Sequence, residues 1–522
     1  MRWVKTLTGE EYGRVHAWGS NPDTLRDRAL ATGKDFIDCP QSYMEPLLIK
    51  YASQHGFDVR FNTGFVSAER TTDTNGGTTM IVCNLRHITT NHTYRIRTKY
   101  LFGADGGRSP VAKQFSFSFK REPSLGTACN VVFEADLTDL IGRERGAQLH
   151  MIANFGLRDK HTGAPLPETP LVRMVRPWTH WMLVVFGFGS HEVPLSQFAP
   201  DGPEMNDYLH QLIGDDGSVH IKVHRVDPWF IRETVAEQLS DSGDQVFILG
   251  DAAHRHPPAY GLGSNTCIQD AYNLAWKVAY VSKGWAGPGL LASYSAERQP
   301  VGATLVREAN NAMRAHAMAW ESMKTPELLS SPTSEGTALR EQLHEALEEK
   351  MREGASLGLT MNQWYYSSAV YLADEAGPRP SLKSSKPGLP ADPVVDILIS
   401  TYPGNRLPHA WLDVSTRRKT ISTHDVAGHG AFCLLISHGG DAWRTAAHAI
   451  SKDTGIPIRT CAIGFGLDYI DVYREWRNRR EVNESGCVLV RPDRFVAWRS
   501  MDMAPDCKTK LRCVLDHILS RS

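Results

Sequence analysis

The chain has 522 residues, 57 Lys+Arg against 58 Asp+Glu, a net charge of −1 with His neutral, and 41% hydrophobic residues. At roughly 100–200 residues per domain this length implies three units or more. Near-zero net charge leaves no global field to gather nucleic acid or an anionic membrane surface, so neither is expected as a partner.

The opening MRWVKTLTGEEYG has no apolar stretch with a small-residue cleavage site, and no run approaches the roughly 18 apolar residues of a spanning helix. Nine cysteines are scattered without a CxxC pair or Cys/His ligand spacing, so neither a disulfide framework nor a metal site is indicated. A cytoplasmic, reducing location is expected. The opening also shows no Val/Ile-rich strand of the kind that begins most nucleotide-binding α/β domains.

Residues 40–57 read as a helix, with Pro40 and Ser42 at the entry, Met44, Leu47, Leu48 and Tyr51 at helical spacing, and Gly56 as the stop. A strand is predicted over 59–61. Short segments between 65 and 100, broken at Asn75-Gly76-Gly77 and Asn91-His92, predict an antiparallel meander feeding a buried strand over 100–102. Runs at 127–135, 149–155, 171–176 and 181–188 predict a second sheet of its own.

A short strand at 245–249 leads into a Gly/Pro-rich loop and a helix over 267–283, with an apolar stripe predicted at Ile268, Ala271, Leu274, Ala275, Val278 and Ala279. Residues 300–350 continue helical and charged, and 341–354 read as a solvated face. Residues 381–393 have linker composition. Strands at 432–437 and 459–464, a helix near 442–451 and a strand pair at 486–492 and 494–500 predict a small α/β domain over 394–522.

Two loops carry the chemistry, and both follow one plan: a strand ends, an Asp follows a Gly, and a helix begins soon after. The first is GADGGRSPVA (103–112), where glycines admit a ligand to the backbone and Ser109-Pro110 supply an N-cap and first helical residue. The second is GDAAHRHPPAYGLGSNT (250–266), running straight into the helix. Either Asp alone reads equally as a turn or cap residue. Together they suggest one shared ligand: carboxylates accept from ribose or ribityl hydroxyls, and Gly261 and Gly263 leave N–H groups open at a helix N-terminus that favours negative charge.

These two motifs resemble the downstream FAD motifs of class A flavoprotein monooxygenases, within them the phenol hydroxylase and 2,4-dichlorophenol monooxygenase branch. The resemblance extends through LTGEEYGRVHAWGSNPD (7–23), PQSYMEPLL (40–48), PGNRLPHAWL (403–412) and LVRPDRFVAWR (489–499), and so covers practically the whole chain. It implies an α/β (α+β) fold, with an incomplete Rossmann-like FAD-binding domain, an inserted β-sheet substrate domain and a C-terminal thioredoxin-like domain. The implied units are 1–115 and 236–320 for FAD, 116–235 for substrate, 321–393 as helical connection and linker, and 394–522 for the tail.

The resemblance also implies the chemistry: NAD(P)H reduces FAD, O2 forms the flavin C4a-hydroperoxide, and its distal oxygen passes to a small phenolic or other aromatic substrate. NADPH or NADH is the reductant, and a homodimer is possible. By the same resemblance Asp105 and Gly106 lie near the FAD pyrophosphate and ribose. Gly250, Asp251 and Ala252 meet the ribityl chain, Pro257 and Pro258 shape the flavin face, and Gly261, Leu262, Gly263 and Asn265 face the pyrimidine edge. Arg173, His180 and Trp181 are weighed as pocket-lining residues against ordinary strand and packing roles, and His254 and His256 stand equally between structural and catalytic roles.

Family members begin with a strand, a GxGxxG turn and a helix that holds the FAD pyrophosphate. This chain has no GxGxxG; Gly187-Phe188-Gly189, Gly261-Leu262-Gly263 and Gly464-Phe465-Gly466 all lack the third glycine in register. The catalytic residues therefore stay unassigned. The alternative expectation is a truncated, non-catalytic homologue acting as a binding or oligomerisation module, with a thioredoxin-like scaffold role in 394–522 as a third. The tail lacks CxxC, so no dithiol chemistry is expected of it.

Overall fold

The computed structural model describes residues 1–521 except 73–78, 143, 161, 168–169, 189–197 and 415–418. The turn expected at Asn75-Gly76-Gly77 lies outside the described residues. Among the described residues an eight-stranded sheet forms the centre, and four smaller sheets accompany it.

The large sheet is built from the expected runs: Phe119–Glu134, Leu149–Ile152, Leu171–Arg176 and His180–Phe188 all pair in it. It is not a sheet of its own, however. Arg2–Val4 forms a short, buried strand parallel to Leu149–Ile152, Glu11–Arg14 extends that edge, and the long strand Lys222–Ala236 pairs with Phe119–Glu134. At the far edge His254–Arg255, from the second Asp loop, pairs with Thr234 and Val235. Hydrogen bonding thus ties the loop directly to the sheet.

Strand alternation gives this sheet two apolar faces. Trp181, Leu183 and Val185 pack with the helix Pro203–Ile213 through Tyr208, Leu209 and Leu212. Val184 and Phe186 point the other way, into a cluster with Trp3, Met151, Met313, Trp320 and Met323. The last three belong to the helix Ser293–Met323, which therefore covers the second face.

The meander Thr63–Thr72, Thr79–His87 and Thr93–Thr98 is antiparallel as expected. The strand predicted over 59–61 is absent: Asp58 and Arg60 pair locally, Asn62 adopts a positive φ of 53°, and pairing starts only at Thr63. The helix Gln41–Gln54 forms, but its apolar residues do not face a core, with Leu47, Leu48 and Tyr51 all more than half exposed. The strand Leu101–Gly103 is likewise only partly buried, Phe102 being 44% exposed.

The tail is a four-stranded sheet in the order Ile458–Ala462, Phe432–Ile436, Cys487–Val490, Val496–Ser500, flanked by the helices Asp441–Thr454 and Cys507–Ile518. The first two strands are parallel and the rest antiparallel. Its core does not end at the domain boundary. Trp276 and Tyr280, from the helix Gly263–Ser282, are buried in it against Phe432, and burying each such side chain contributes roughly 1.5–3 kcal/mol.

Candidate FAD site

Leu101–Gly103 and Val246–Ile248 form a two-stranded parallel sheet in the register Leu101↔Val246 and Gly103↔Ile248. Both Asp loops therefore leave the same end of the same sheet. The carboxyl end of parallel strands is where α/β sheets bind ligands, because the loops there open into a crevice.

In the first loop Ser109 Oγ accepts from Ala112 N at 2.9 Å, capping the short helix Pro110–Gln114. Asp105 Oδ2 accepts from Val111 N at 3.1 Å, so this carboxylate has a capping role, and the side chain is exposed. Gly106 has φ +76° with open space where a side chain would be.

In the second loop Gly250 has φ +60°, and a Cβ there would lie 3.0 Å from Cys267 Sγ. Only glycine fits without strain. Its N–H donates to Asp270 Oδ2 at 3.1 Å. Asp251 is exposed, Ala252 is buried beneath it, Pro257 is buried and Pro258 exposed. Tyr260 takes φ +63°, a conformation non-glycine residues rarely adopt. It is held by its N–H, which donates to Glu353 Oε1 at 3.0 Å.

Gly261 follows at φ +64°, beside Trp18, and Leu262 leads into the helix Gly263–Ser282. The first N–H groups of that helix, Gly263, Ser264 and Asn265, have no partner within it, as in any α-helix. Asn265 Nδ2 donates back to Gly261 O at 3.1 Å, which fixes the turn.

Behind this loop lies a buried ionic framework that the sequence reading missed. Asp270 Oδ1 accepts from Arg298 Nε at 2.8 Å, and its Oδ2 lies 2.7 Å from His254 Nε2. Burial pushes the Asp270 carboxyl up, but Arg298 and His254 more than offset this and hold it below the usual carboxylate range. Arg298 in turn donates to Tyr365 Oη, Gln363 Oε1 and Thr266 O. His254 is thus buried and paired with Asp270. His256 Nδ1 lies 2.7 Å from Pro257 O, and burial keeps its ring below the ordinary histidine range.

The stripe predicted for the helix is corrected. Ile268, Ala271, Ala275 and Ala279 are exposed and Val278 is half-buried, whereas Thr266, Asp270, Asn273 and Lys277 are buried with Leu274, Trp276 and Tyr280. The reason is that polar partners from Ser293–Met323 and the tail meet this face. Residues 341–354 are also not simply solvated: Lys350 and Glu353 are buried and paired, and Glu353 supports Tyr260. Trp181 is buried, its indole donating to Ala135 O, and Arg173 pairs with Asp38. His180 Nδ1 lies 3.0 Å from Thr179 Oγ1.

Residues 6–309 match the FAD binding domain family and residues 400–522 the aromatic-ring hydroxylase C-terminal family. This chain belongs to the FAD-dependent aromatic-ring hydroxylases. Among curated relatives of this hydroxylase, 2,4-dichlorophenol 6-monooxygenase of Delftia acidovorans is 35% identical, across 99% of this chain and 85% of its own length. Phenol 2-monooxygenase of Pseudomonas sp. (strain EST1001) is 34% identical over 98% and 80%. Among solved structures, the flavin-dependent monooxygenase PieE, in complex with FAD and substrate, superposes with a TM-score of 0.88 at 31% identity, covering all of this chain and 86% of that one. Aklavinone-11 hydroxylase in a ternary complex with FAD and aklavinone gives 0.73 at 25% identity, covering 100% and 85%.

The hydroxylase family uses FAD, and the loops fit it. Two exposed carboxylates, a glycine at positive φ that no side chain can replace without strain, and a helix N-terminus lie on loops that leave one end of a single strand pair. No helix is long and apolar enough to cross a membrane among the described residues.

Proposed function

We propose that this hydroxylase acts on a small phenolic ring with NAD(P)H and O2, and that the Asp105 and Asp251 loops hold its FAD. The observation that carries the reading is the emergence of both loops from one end of a single parallel strand pair. Bound FAD supplies two-electron uptake and O2 activation, which no side chain offers.

The chain's own residues bind and orient. Asp251 accepts from ribityl hydroxyls, with Gly250 bringing the backbone close and Ala252 anchoring the turn in the core. Asp105 and Gly106 serve the ribose and pyrophosphate. The free N–H groups beginning at Gly263, with Gly261, Leu262 and Asn265 around them, stabilise negative charge on the pyrimidine edge. Pro257 and Pro258 stiffen the segment against the flavin face.

An aromatic ring suits the partly buried edge of the apolar cluster under the helix Ser293–Met323, where Trp18 lies. Trp18 stands beside Gly261, and Phe186, which meets Trp229 edge-on at 6.5 Å, belongs to the same cluster. Phenolic substrates are what the named relatives 2,4-dichlorophenol 6-monooxygenase and phenol 2-monooxygenase act on. The reading carries with it the domain units given above, a homodimer and a cytoplasmic location. No observation favours a purely non-catalytic module.

The test is to titrate the purified chain with FAD and follow flavin absorbance, then measure NAD(P)H oxidation and product with a panel of phenols. Phenol-stimulated oxidation with a hydroxylated product is expected. Absence of both flavin binding and product overturns the reading.

A further inference from the structure

The edge of the large sheet beside the flavin loop carries three arginines around a cleft with one lining carboxylate, Glu122. The register places Arg121 opposite Thr234 and Thr234 opposite Arg255, so these residues form one cross-strand row. Arg232, two residues before Thr234, joins them around a cleft of about 340 Å3 also lined by Glu122, Ser124 and Phe230.

Cation–π contacts hold the guanidiniums in place. Arg121 and Arg255 lie 5.4 and 5.2 Å from the Phe119 ring centre, and Arg232 lies 5.3 Å from that of Phe230. Their hydrogen-bonding edges remain available. Among the described residues the guanidiniums of Arg121 and Arg232 make no hydrogen bond or ion pair, and that of Arg255 only donates Nε–H to Asp251 O at 3.1 Å. Glu122, the one carboxylate in the cleft, lies 3.8 Å from Lys120. Burial and the two neighbouring guanidiniums hold Arg255 below the ordinary arginine range, and the Asp251 carboxylate opposes them only in part.

Three forked donors against one lining carboxylate, which lies 3.8 Å from Lys120, form a site for phosphate oxygens. The cleft touches both Asp loops: Arg255 bonds the Asp251 carbonyl, and a Cβ at Gly107 would lie 3.4 Å from Arg255 Cδ. It is also open, with Arg121 exposed and Phe230 52% exposed. A resident cofactor is enclosed, whereas a reductant must enter and leave at each turnover, so an open phosphate site suits the exchangeable dinucleotide.

We propose that Arg121, Arg232 and Arg255 bind the phosphates of the reduced nicotinamide dinucleotide, beside the flavin loops. The inference rests on the function proposed above, for it names where that reaction's reductant docks. Arg232 and Arg121 supply charge and hydrogen bonds from the strands, and the exposed face of Phe230 offers a stacking surface.

The test is calorimetric titration of the full chain with ADP-ribose, 2′-phospho-ADP-ribose and FAD, at two salt concentrations. Arg121→Ala and Arg232→Ala are compared with the natural chain and with Arg95→Ala, an exposed arginine on the meander strand Thr93–Thr98. Each of the two cleft variants is expected to weaken an ADP-ribose probe at least tenfold and to flatten its salt dependence, with FAD affinity within twofold of the natural chain and Arg95→Ala unchanged. Equal probe affinity in all four proteins overturns the proposal, as does absence of probe binding by the natural chain. Parallel loss of FAD affinity overturns it too, because the cleft then serves the flavin's own pyrophosphate. Probe binding lost in the cleft variants of a chain that neither binds FAD nor oxidises phenols sustains the phosphate site and removes only the wider functional reading.

Discussion

Arg491, in the turn between two strands of the tail, donates from both terminal nitrogens to the two oxygens of Glu297 at 2.5 and 2.8 Å, and neither side chain is exposed to solvent. Glu297 Oε2 also accepts from Lys277 and Asn273, on the helix that opens at the flavin loop. Asp493 completes the cluster by accepting from Arg491. Burial alone pushes the Glu297 carboxyl up, yet Arg491 and Lys277 outweigh it and hold it well below the usual range.

Arg491→Met leaves Glu297 and Asp493 as buried, under-compensated charges. Breaking one partner of such a pair costs about 3–5 kcal/mol, so a large drop in the urea midpoint is expected. Arg491→Lys keeps the charge but not the bidentate geometry and is expected to fall between the two. A midpoint equal to that of the natural chain for Arg491→Met contradicts this account.

Gly250→Ala places a methyl group at φ +60° and 3.0 Å from Cys267 Sγ. The left-handed conformation alone costs roughly 1–2 kcal/mol, and the shift needed to relieve the contact displaces Asp251. FAD affinity is expected to fall more than tenfold with a modest loss of thermal stability. Gly250→Ala with Cys267→Ser separates strain from contact, since only the second is eased.

Asp251→Asn and Asp105→Asn distinguish a ligand-facing carboxylate from a capping one. Asp251 is exposed, and among the described residues its carboxylate accepts from one side chain, the Cys267 thiol at 3.9 Å, so the substitution is expected to leave the melting temperature unchanged and weaken FAD binding. Asp105 caps Val111 N, and its conversion to Ala is expected to cost about 1 kcal/mol besides. Unchanged flavin titration for Asp251→Asn removes that residue from the site.

Acid sensitivity follows from buried neutral histidines. Burial lowers His150 to about 4 and His424 to about 3, and takes His316 well below the ordinary value. The unfolded chain, with pKa near 6.5, binds more protons than the folded one between these values, so stability rises with pH there. The contribution is full above about pH 6.5 and is lost as the pH falls towards 4, amounting to roughly 3 kcal/mol for His150. Melting temperatures measured from pH 7.5 to 4.5 should decline, and His150→Gln should shallow the slope.

The strands and loops were legible because their signals are local. Alternation announced the runs at 171–176 and 181–188, and glycine spacing announced both Asp loops. The long strand Lys222–Ala236 was not read, since its exposed charges and Pro228 hide the alternation. The polar part of the buried face of Gly263–Ser282 was missed because hydrophobicity was the only guide. Nothing local to Asp270, Asn273 or Lys277 tells that Arg298, Glu297 and Arg491 will arrive from 20 to more than 200 residues away. Burial of a charge depends on its partner, and the partner is a tertiary fact.

The helix Gly263–Ser282 begins at the flavin turn and gives its flank to the tail, with Trp276 and Tyr280 inside the tail's own core. The tail is therefore not an interchangeable module. A chimaera that grafts the C-terminal unit of another hydroxylase onto this one must carry its matching helix across as well, since the seam between them runs through side chains of both. Recombination between relatives is tolerated only at junctions that leave this helix and its tail together, such as the loops leading into the large sheet.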